Sequence, residues 1–347
     1  MSTKPNPDLY DLPFVTDSYN GMPHLYLGRS GLRVSKVGLG TWKIGYPETG
    51  DGSRVDEKTA FRLFDRAAEL GVTFWDTANR YNSSSGNSER IIGKWLAQNP
   101  DQRRNLVIAT KMFGCMDGRT PNHCRLGRGN IKEAVYASLD RLQTDRVEVL
   151  YFHSYDPVTP IDESLDAASD LISQDLVRYL GLSNFTRDQL RLYFEMEKSG
   201  FPRILSVQNG FNLLEGARSG EEGVLEFCAR TGISFVAWSP LGAGLLTDRY
   251  LDPEKVGKGD RLVDENTLDQ KLTPENKDRL HRLQTLSQSW GISISQISLA
   301  YMLTLSGMGP VIPSASKLEH LESNVKAATI ELDPQQRLEI AQALASG

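Results

Sequence analysis

The chain predicts an α/β protein of the (β/α)8, or TIM-barrel, type, with a β-hairpin ahead of the barrel and an extra helix after it. Two observations carry this. Eight short apolar runs alternate with amphipathic segments along the 347 residues, the pattern of βα units around a parallel sheet. No linker, low-complexity tract or second repeat interrupts them, and the length suits one large barrel. The structural rival, an open doubly wound sheet, usually has a Gly-rich phosphate turn in its first unit. GLGTWK (38–43) and GAGLLT (242–247) begin as such turns but lack the third small residue. The expected organisation is therefore a polar lead-in over 1–24 and a single barrel domain over 25–347.

The elements follow in order. PHLYLGRSGLRVS (23–35) reads as two short strands joined through Arg-Ser-Gly. The barrel strands are VSKVGLGTW (34–42), VTFWDTA (72–78), LVIATK (106–111), VEVLYFH (147–153), VRYLGLS (177–183), ILSVQNGF (204–211), ISFVAWS (233–239) and GPVIPS (309–314). Between them apolar residues recur at helical spacing, as in Phe61, Phe64 and Ala68, or Ile131, Val135, Leu139 and Leu142. Gly71 and Gly232 each stand between a helical segment and a strand, where a left-handed residue ends a helix. DPQQRLEIAQAL (333–344) is the extra helix. Three loops are long, 43–56, 112–129 and 240–272, and each follows a strand, so all three rise from the rim where barrel enzymes place their sites.

Composition narrows the function. Charged residues are 24% of the chain and no apolar run approaches the eighteen or so residues of a membrane span, so the chain is expected not to enter a membrane. A net charge of -5 argues against a nucleic-acid partner. The three cysteines, Cys115, Cys124 and Cys228, form no CxxC pair and are too scattered for a disulfide framework, which fits a reducing, cytoplasmic location. His123 and Cys124 with Cys115 lack a fourth ligand at a recognisable spacing, so no metal is expected.

Polar residues end successive strands: Asp76 after the second, Lys111 after the third and His153 after the fourth, with Tyr81 five residues past Asp76. In a parallel barrel these ends face one cavity. A phenol has a pKa of about 10, and a nearby ammonium favours its ionised form, so Lys111 is expected to lower the pKa of Tyr81. Asp76 would hold Lys111 charged, and neutral His153 would hydrogen-bond the substrate oxygen. Taken singly, each residue has a plainer explanation: a cap, a rim charge, a satisfied core histidine. Together, in this order, they suit protonation of an oxygen that is becoming an alkoxide, which is carbonyl reduction by hydride.

On these residues the sequence resembles the aldo-keto reductases, from about Leu25 to the last helix. GLGTW (38–42), DTANRY (76–81), ATK (109–111), GLSNF (181–185), VQNGFN (207–212), WSPLGAGLL (238–246) and VIPSASKLEHLESN (311–324) are each similar to a family segment. The resemblance implies that Asp76, Tyr81, Lys111 and His153 form a catalytic tetrad, with Tyr81 as general acid. It implies a nicotinamide cofactor across the barrel mouth, with Gly40, Thr41, Trp42 and Asp76 beneath it. Ser183, Asn184 and Gln208 would hold the carboxamide, and Trp238 would stack on the ring. Ser239, Pro240, Leu241, Gly242, Gly244 and Leu245 would line the pyrophosphate, and Ser314, Ser316, His320 and Asn324 the adenine end. Serines stand where many NADPH-dependent members carry Lys or Arg. Arg249 and Arg261, from the loop after the seventh strand, could take the 2′-phosphate instead. NADP(H) is favoured, with NAD(H) open.

Tryptophan at 238 resembles the branch that contains bacterial reductases and potassium-channel β subunits. The expected activity is NAD(P)H-dependent reduction of a small-molecule aldehyde or ketone to an alcohol, the substrate being a sugar, an aryl aldehyde or a cyclic ketone. The alternative is a channel-β-like redox-sensing subunit with slow turnover. Trp42, Ile44, Tyr46, Phe113 and Tyr155, with Tyr81 and His153, are the candidate substrate contacts. Arg119, Arg125 and Arg128 could bind an anionic substrate but are expected to be solvated charges. Asn82 stands where glycine usually follows the motif tyrosine, and Glu148 where aspartate is common.

Overall fold

The computed structural model describes residues 17–116 and 118–345. Residues 1–16 of the expected lead-in lie outside the described residues. Its remainder enters a small antiparallel sheet of β1 (Ser18–Tyr19), β2 (Met22–Tyr26) and β3 (Arg33–Ser35). The barrel strands are β4 (Leu39–Gly40), β5 (Phe74–Asp76), β6 (Val107–Met112), β7 (Val147–Phe152), β8 (Val177–Ser183) and β9 (Ile204–Asn212). A two-residue strand, β10 (Gly216–Ala217), pairs back on β9, and β11 (Ser234–Trp238) and β12 (Met308–Ile312) complete the set. The eight barrel strands pair in parallel in the order β12-β11-β9-β8-β7-β6-β5-β4. Bridges from Val37 to Val311 and from Gly40 to Ser314 join the two ends of this row.

The first apolar run divides. Val34 and Ser35 pair with Leu25 and His24 in β2, whereas Leu39 and Gly40 pair with β5 and Val37 bridges to β12 in the barrel. A hairpin register and a barrel register cannot share those residues, so the chain bends between them. The hairpin then seals the N-terminal end: Leu27 and Val34 join Phe74, Val107, Val149, Leu205, Val236 and Ile312 in the barrel's inner core. The seal is close. A Cβ on Gly28, whose φ is 57°, would stand 2.1 Å from the Leu205 carbonyl oxygen.

Strand alternation positions the site, since successive side chains point to opposite faces. On β5, Phe74 packs inside the barrel, Trp75 points outward against Phe64 and Trp95 at ring distances of 4.8 and 4.9 Å, and Asp76 points inward again. The same count brings Lys111 inward behind Val107 and Ala109, and His153 inward behind Val149 and Tyr151. The outward residues pack under the helices Glu57–Glu69, Asn87–Gln98, Arg128–Leu142 and Ile161–Ser173. Gly71 and Gly232 end their helices with φ of 72° and 75°. Helix Pro334–Leu344 packs on helix Pro274–Trp290 in a separate apolar cluster.

Candidate active site

At the C-terminal rim a cavity of about 1020 Å³ runs from Asp76, Tyr81 and His153 at one end to Ser314, Ser316, His320 and Asn324 at the other. Its floor is the four-residue cluster. Lys111, fully buried, donates to both Asp76 oxygens at 2.7 Å, to the Thr77 carbonyl at 2.8 Å and to Tyr81 Oη at 2.6 Å. Tyr81 Oη in turn donates to Asp76 Oδ2 at 3.0 Å, and Gln208 Nε2 donates to Asp76 Oδ1 at 2.7 Å. The His153 ring lies edge-on to Tyr81 with centroids 6.2 Å apart.

The electrostatics correct one expectation. Lys111 does not bring Tyr81 below the ordinary phenol value: burial, and then the Asp76 carboxylate on the same oxygen, hold it well above 10. The ammonium is largely answered by Asp76, so the phenol keeps its proton in the resting protein. Burial likewise lowers Lys111, with Asp76 acting against it. Burial first, then the Lys111 and Arg80 charges, push His153 down to about 3, so its imidazole is neutral at neutral pH.

Most of the residues named from the sequence line this cavity. Gly40, Trp42, Asp76, Ser183, Asn184, Gln208, Trp238, Ser239, Pro240, Leu241, Gly244, Arg249, Arg261, Ser314, Ser316, His320 and Asn324 do so, as do Phe113, Tyr81 and His153. Others do not. Thr41 is buried beneath, bonded to the Asp76 carbonyl and Ser88. Gly242 is not in the lining although its neighbours Leu241 and Ala243 are, and Leu245 packs in the outer apolar cluster. Ile44 is buried, and its carbonyl accepts from Asn82 at 2.6 Å. Tyr46 turns away to Glu57 and Lys94, and Tyr155 packs on Phe185 at 5.7 Å. Arg125 and Arg128 pair with Asp156 and Asp170 away from the cavity.

The structure explains both departures at 82 and 148. Asn82 has φ 54° and opens a run of three left-handed residues with Ser83 and Ser84. Asparagine tolerates that conformation better than most side chains, and its amide holds the first long loop through Ile44. Glu148 faces outward, paired with Arg103 at 3.0 Å and accepting the Ile108 amide at 2.9 Å.

Sequence reasoning missed Arg80, Gly114, Arg218 and Ala243 in the lining. Arg80 adjoins Tyr81 in the motif, which was its one signal. Arg218 comes from the loop after β9, too short to stand out by length. Cys115 and Cys124, expected to be unpaired, form a disulfide with Cα atoms 4.4 Å apart. The loop doubles back so that the Arg125 amide donates to the Phe113 carbonyl at 2.5 Å, and spacing alone could not reveal that turn.

Over the cavity's middle, the first and third long loops clasp. Arg54 bonds Asp264 at 2.7 Å and the Gly259 carbonyl at 2.5 Å, and Lys43 pairs with Glu265 at 3.2 Å. Arg261 stacks on Trp42 at 4.5 Å while pairing with Glu265, and Arg249 pairs with Asp260.

The residues fit a nicotinamide dinucleotide. The cavity stands at the upper end of the usual range for a small ligand, roughly 300–1,000 Å³. It carries amides and a tryptophan at one end and hydroxyls, an imidazole and a guanidinium at the other. The floor at Gly40 is tight, since a Cβ there would come 2.9 Å from Ser314 Oγ, and the left-handed backbone at Ser239 and Ala243, φ 54° and 60°, lies in the segment expected from the resemblance to line the pyrophosphate. Among the described residues no group of three or more His, Cys, Asp or Glu is placed to hold a metal, and no helix is long and apolar enough to cross a membrane.

The fold and this cluster define a barrel with a buried, mutually hydrogen-bonded Asp, Lys and Tyr at its C-terminal rim. The comparison with known proteins gives the family: the pattern of the Aldo/keto reductase family matches residues 36–345, and the chain belongs to that family. It is 36% identical to an uncharacterised oxidoreductase, YrpG, of Bacillus subtilis (strain 168), over 90% of this chain and 93% of that one. It is 32% identical to the aldo-keto reductase AMT2 of Alternaria alternata, over 89% and 88%. It is 28% identical to a protein of Oryza sativa subsp. japonica named "Probable voltage-gated potassium channel subunit beta", over 89% and 92%. The chain is thus an oxidoreductase of a family whose general chemistry is carbonyl reduction with a nicotinamide cofactor.

Proposed function

We propose that the protein reduces an aldehyde or ketone to an alcohol, with Tyr81 as proton donor and NADPH as the preferred cofactor. The observation that carries this is the Lys111 ammonium, 2.6 Å from Tyr81 Oη and 2.7 Å from both Asp76 oxygens at the foot of the cavity. When bound, the cofactor supplies the hydride and its electron pair. Ser183, Asn184 and Gln208 would hold its carboxamide, and Arg249, Arg261, Ser314, Ser316 and His320 its 2′-phosphate end. Neutral His153 donates to the substrate oxygen, orienting the carbonyl. As that oxygen gains the electron pair of the carbonyl π bond, Tyr81 Oη passes its proton to it, and Lys111 stabilises the phenolate left behind until water reprotonates it. The high pKa of the resting phenol suits this order, because an alkoxide is basic enough to take the proton and the ground-state carbonyl is not.

Tyr81→Phe tests the reading. It removes the acid while keeping the ring, and kcat for NADPH-dependent reduction of an aldehyde panel should fall about 10²–10³-fold with the melting temperature little changed. Near-normal turnover in the folded variant would assign the proton to another group. Comparing kcat/KM for NADPH and NADH tests the cofactor: a preference for NADH refutes the role given to Arg249 and Arg261.

The clasp favours a second reading. Ion pairs that close the loops over the cavity slow cofactor exchange, as a redox-sensing subunit would require, and one relative is named as a probable potassium channel β subunit. Negligible steady-state turnover, together with a single rapid oxidation of bound NADPH by aldehyde, would select that reading.

A further inference from the structure

The substrate end of the cavity carries positive charge that the proposed chemistry does not use. Arg80 precedes Tyr81, and its exposed side chain lines the cavity with Tyr81, Phe113, Gly114 and His153. Its Nε donates to Ser84 Oγ at 2.9 Å. Among the described residues no carboxylate pairs with its guanidinium, and its two terminal nitrogens have no hydrogen-bond partner. The seat is made by a missing side chain: a Cβ on Gly114 would come 1.8 Å from Nη1 and 2.5 Å from Cδ. The charge reaches the cluster, since Arg80 helps to hold His153 neutral.

Arg218 is a second such cation. It reaches the cavity from the loop after β9 and lies 5.2 Å from the Trp238 ring centroid. Gly210 makes its room, for a Cβ there would stand 2.6 Å from Arg218 Cδ. Its nearest carboxylate, Glu221, is 4.0 Å away, and burial pushes that acid up to about 7, so the counter-charge is incomplete at neutral pH. Asp76, the carboxylate closest to the chemistry, is already taken by Lys111.

Two guanidiniums with open donors, Arg80 beside the phenol and imidazole and Arg218 beside Trp238 on the wall of the same cavity, are suited to an oxyanion bound through paired hydrogen bonds. We propose that Arg80, assisted by Arg218, forms an anion subsite, so that the carbonyl substrate carries a carboxylate or phosphate group away from its reacting carbon. This rests on the reductase reading and adds the substrate class. Arg119, Arg125 and Arg128, the cations first considered from the sequence, do not line this cavity.

The test compares matched pairs: 4-carboxybenzaldehyde with its methyl ester, and glyceraldehyde 3-phosphate with glyceraldehyde, in the native protein, Arg80→Gln, Arg80→Lys and Arg218→Gln. The native protein should favour the anionic member of at least one pair by about tenfold or more in kcat/KM, with the carboxylate and phosphate arms showing which group is meant. Arg80→Gln should lower that ratio by about tenfold, chiefly through KM, Arg80→Lys should restore part of it, and added salt should reduce it. Calorimetric binding of the same compounds should follow the same ranking. Equal handling of charged and neutral members by the native protein, or a ratio unchanged in Arg80→Gln, overturns the subsite while the reductase reading stands. If no aldehyde is turned over, the reductase reading fails, and the binding ranking still decides the subsite.

Discussion

The two ends of the cavity are built on opposite principles. At the Tyr81 end Asp76 and Lys111 sit on strands, are buried, and are bonded to each other and to Tyr81, with Arg80 the exposed exception: Lys111 makes four contacts of 2.6 to 2.8 Å with Asp76, Thr77 and Tyr81. Elsewhere on the cavity wall the charges ride on loops, are part-exposed, and hold one long loop to another, as Arg54 holds Asp264 and Lys43 holds Glu265. A buried cluster of mutual bonds is held by a scaffold that cannot relax, whereas part-exposed pairs between loops can be broken by water. The same side-chain chemistry thus gives a fixed cluster in one place and a separable contact in the other, according to burial.

Lys111→Met is the change that most sharply breaks the contrast. It leaves the Asp76 carboxylate buried without its cation, so about 3–5 kcal/mol of stability should be lost in urea unfolding. Turnover should fall at least as far as in Tyr81→Phe. Adding Asp76→Asn to it should recover much of the stability and none of the activity; a double variant no more stable than the single one would show that the pair is not coupled.

Acid should separate the two ends next. The folded pKa of His153 lies at about 3, below its unfolded value of 6.5, so below pH 6.5 the unfolded chain takes up a proton that the folded chain refuses. Stability from this group is intact above 6.5 and falls toward pH 3 by up to about 1.4 kcal/mol per unit. The ring's partial opening to the cavity reduces that slope. His153→Asn should flatten this part of the stability profile between pH 6 and 4, and an identical slope in the variant would assign the effect to other groups.

The loop end should respond least. Arg54→Gln removes one part-exposed pair, worth about 0–1 kcal/mol, so the melting temperature should barely move. The release rate of NADPH, followed by stopped-flow fluorescence, should rise roughly two- to fivefold, and the difference from the native protein should shrink in high salt. A release rate insensitive to both the substitution and salt would mean that the clasp does not gate exchange.

This division matches what could be read in advance. Asp76, Lys111 and His153 were legible because each ends an apolar strand, and a period of two is enough to say that they share a face. Phe74 and Trp75 show the limit even there: both read as core, but only the barrel decides that one packs inside it and the other beneath the helices. Tyr46, Ile44 and Tyr155 looked like substrate contacts because they lie in or near rim loops, yet a loop's path is not periodic, and Glu57 with Lys94, Asn82 and Phe185 claim them. Arg80 and Arg218 were passed over for the same reason, since the gaps left by Gly114 and Gly210 lie on other segments of the chain.

By itself, then, the sequence determined the barrel, the inward order of Asp76, Lys111 and His153, and the family, because alternation and motif order are local properties of a chain. The tertiary structure alone decided the protonation of Tyr81, the Cys115–Cys124 disulfide, the clasp and the cationic wall. Each of these depends on the distance between residues far apart in sequence, and electrostatic and covalent partners are chosen by distance in space.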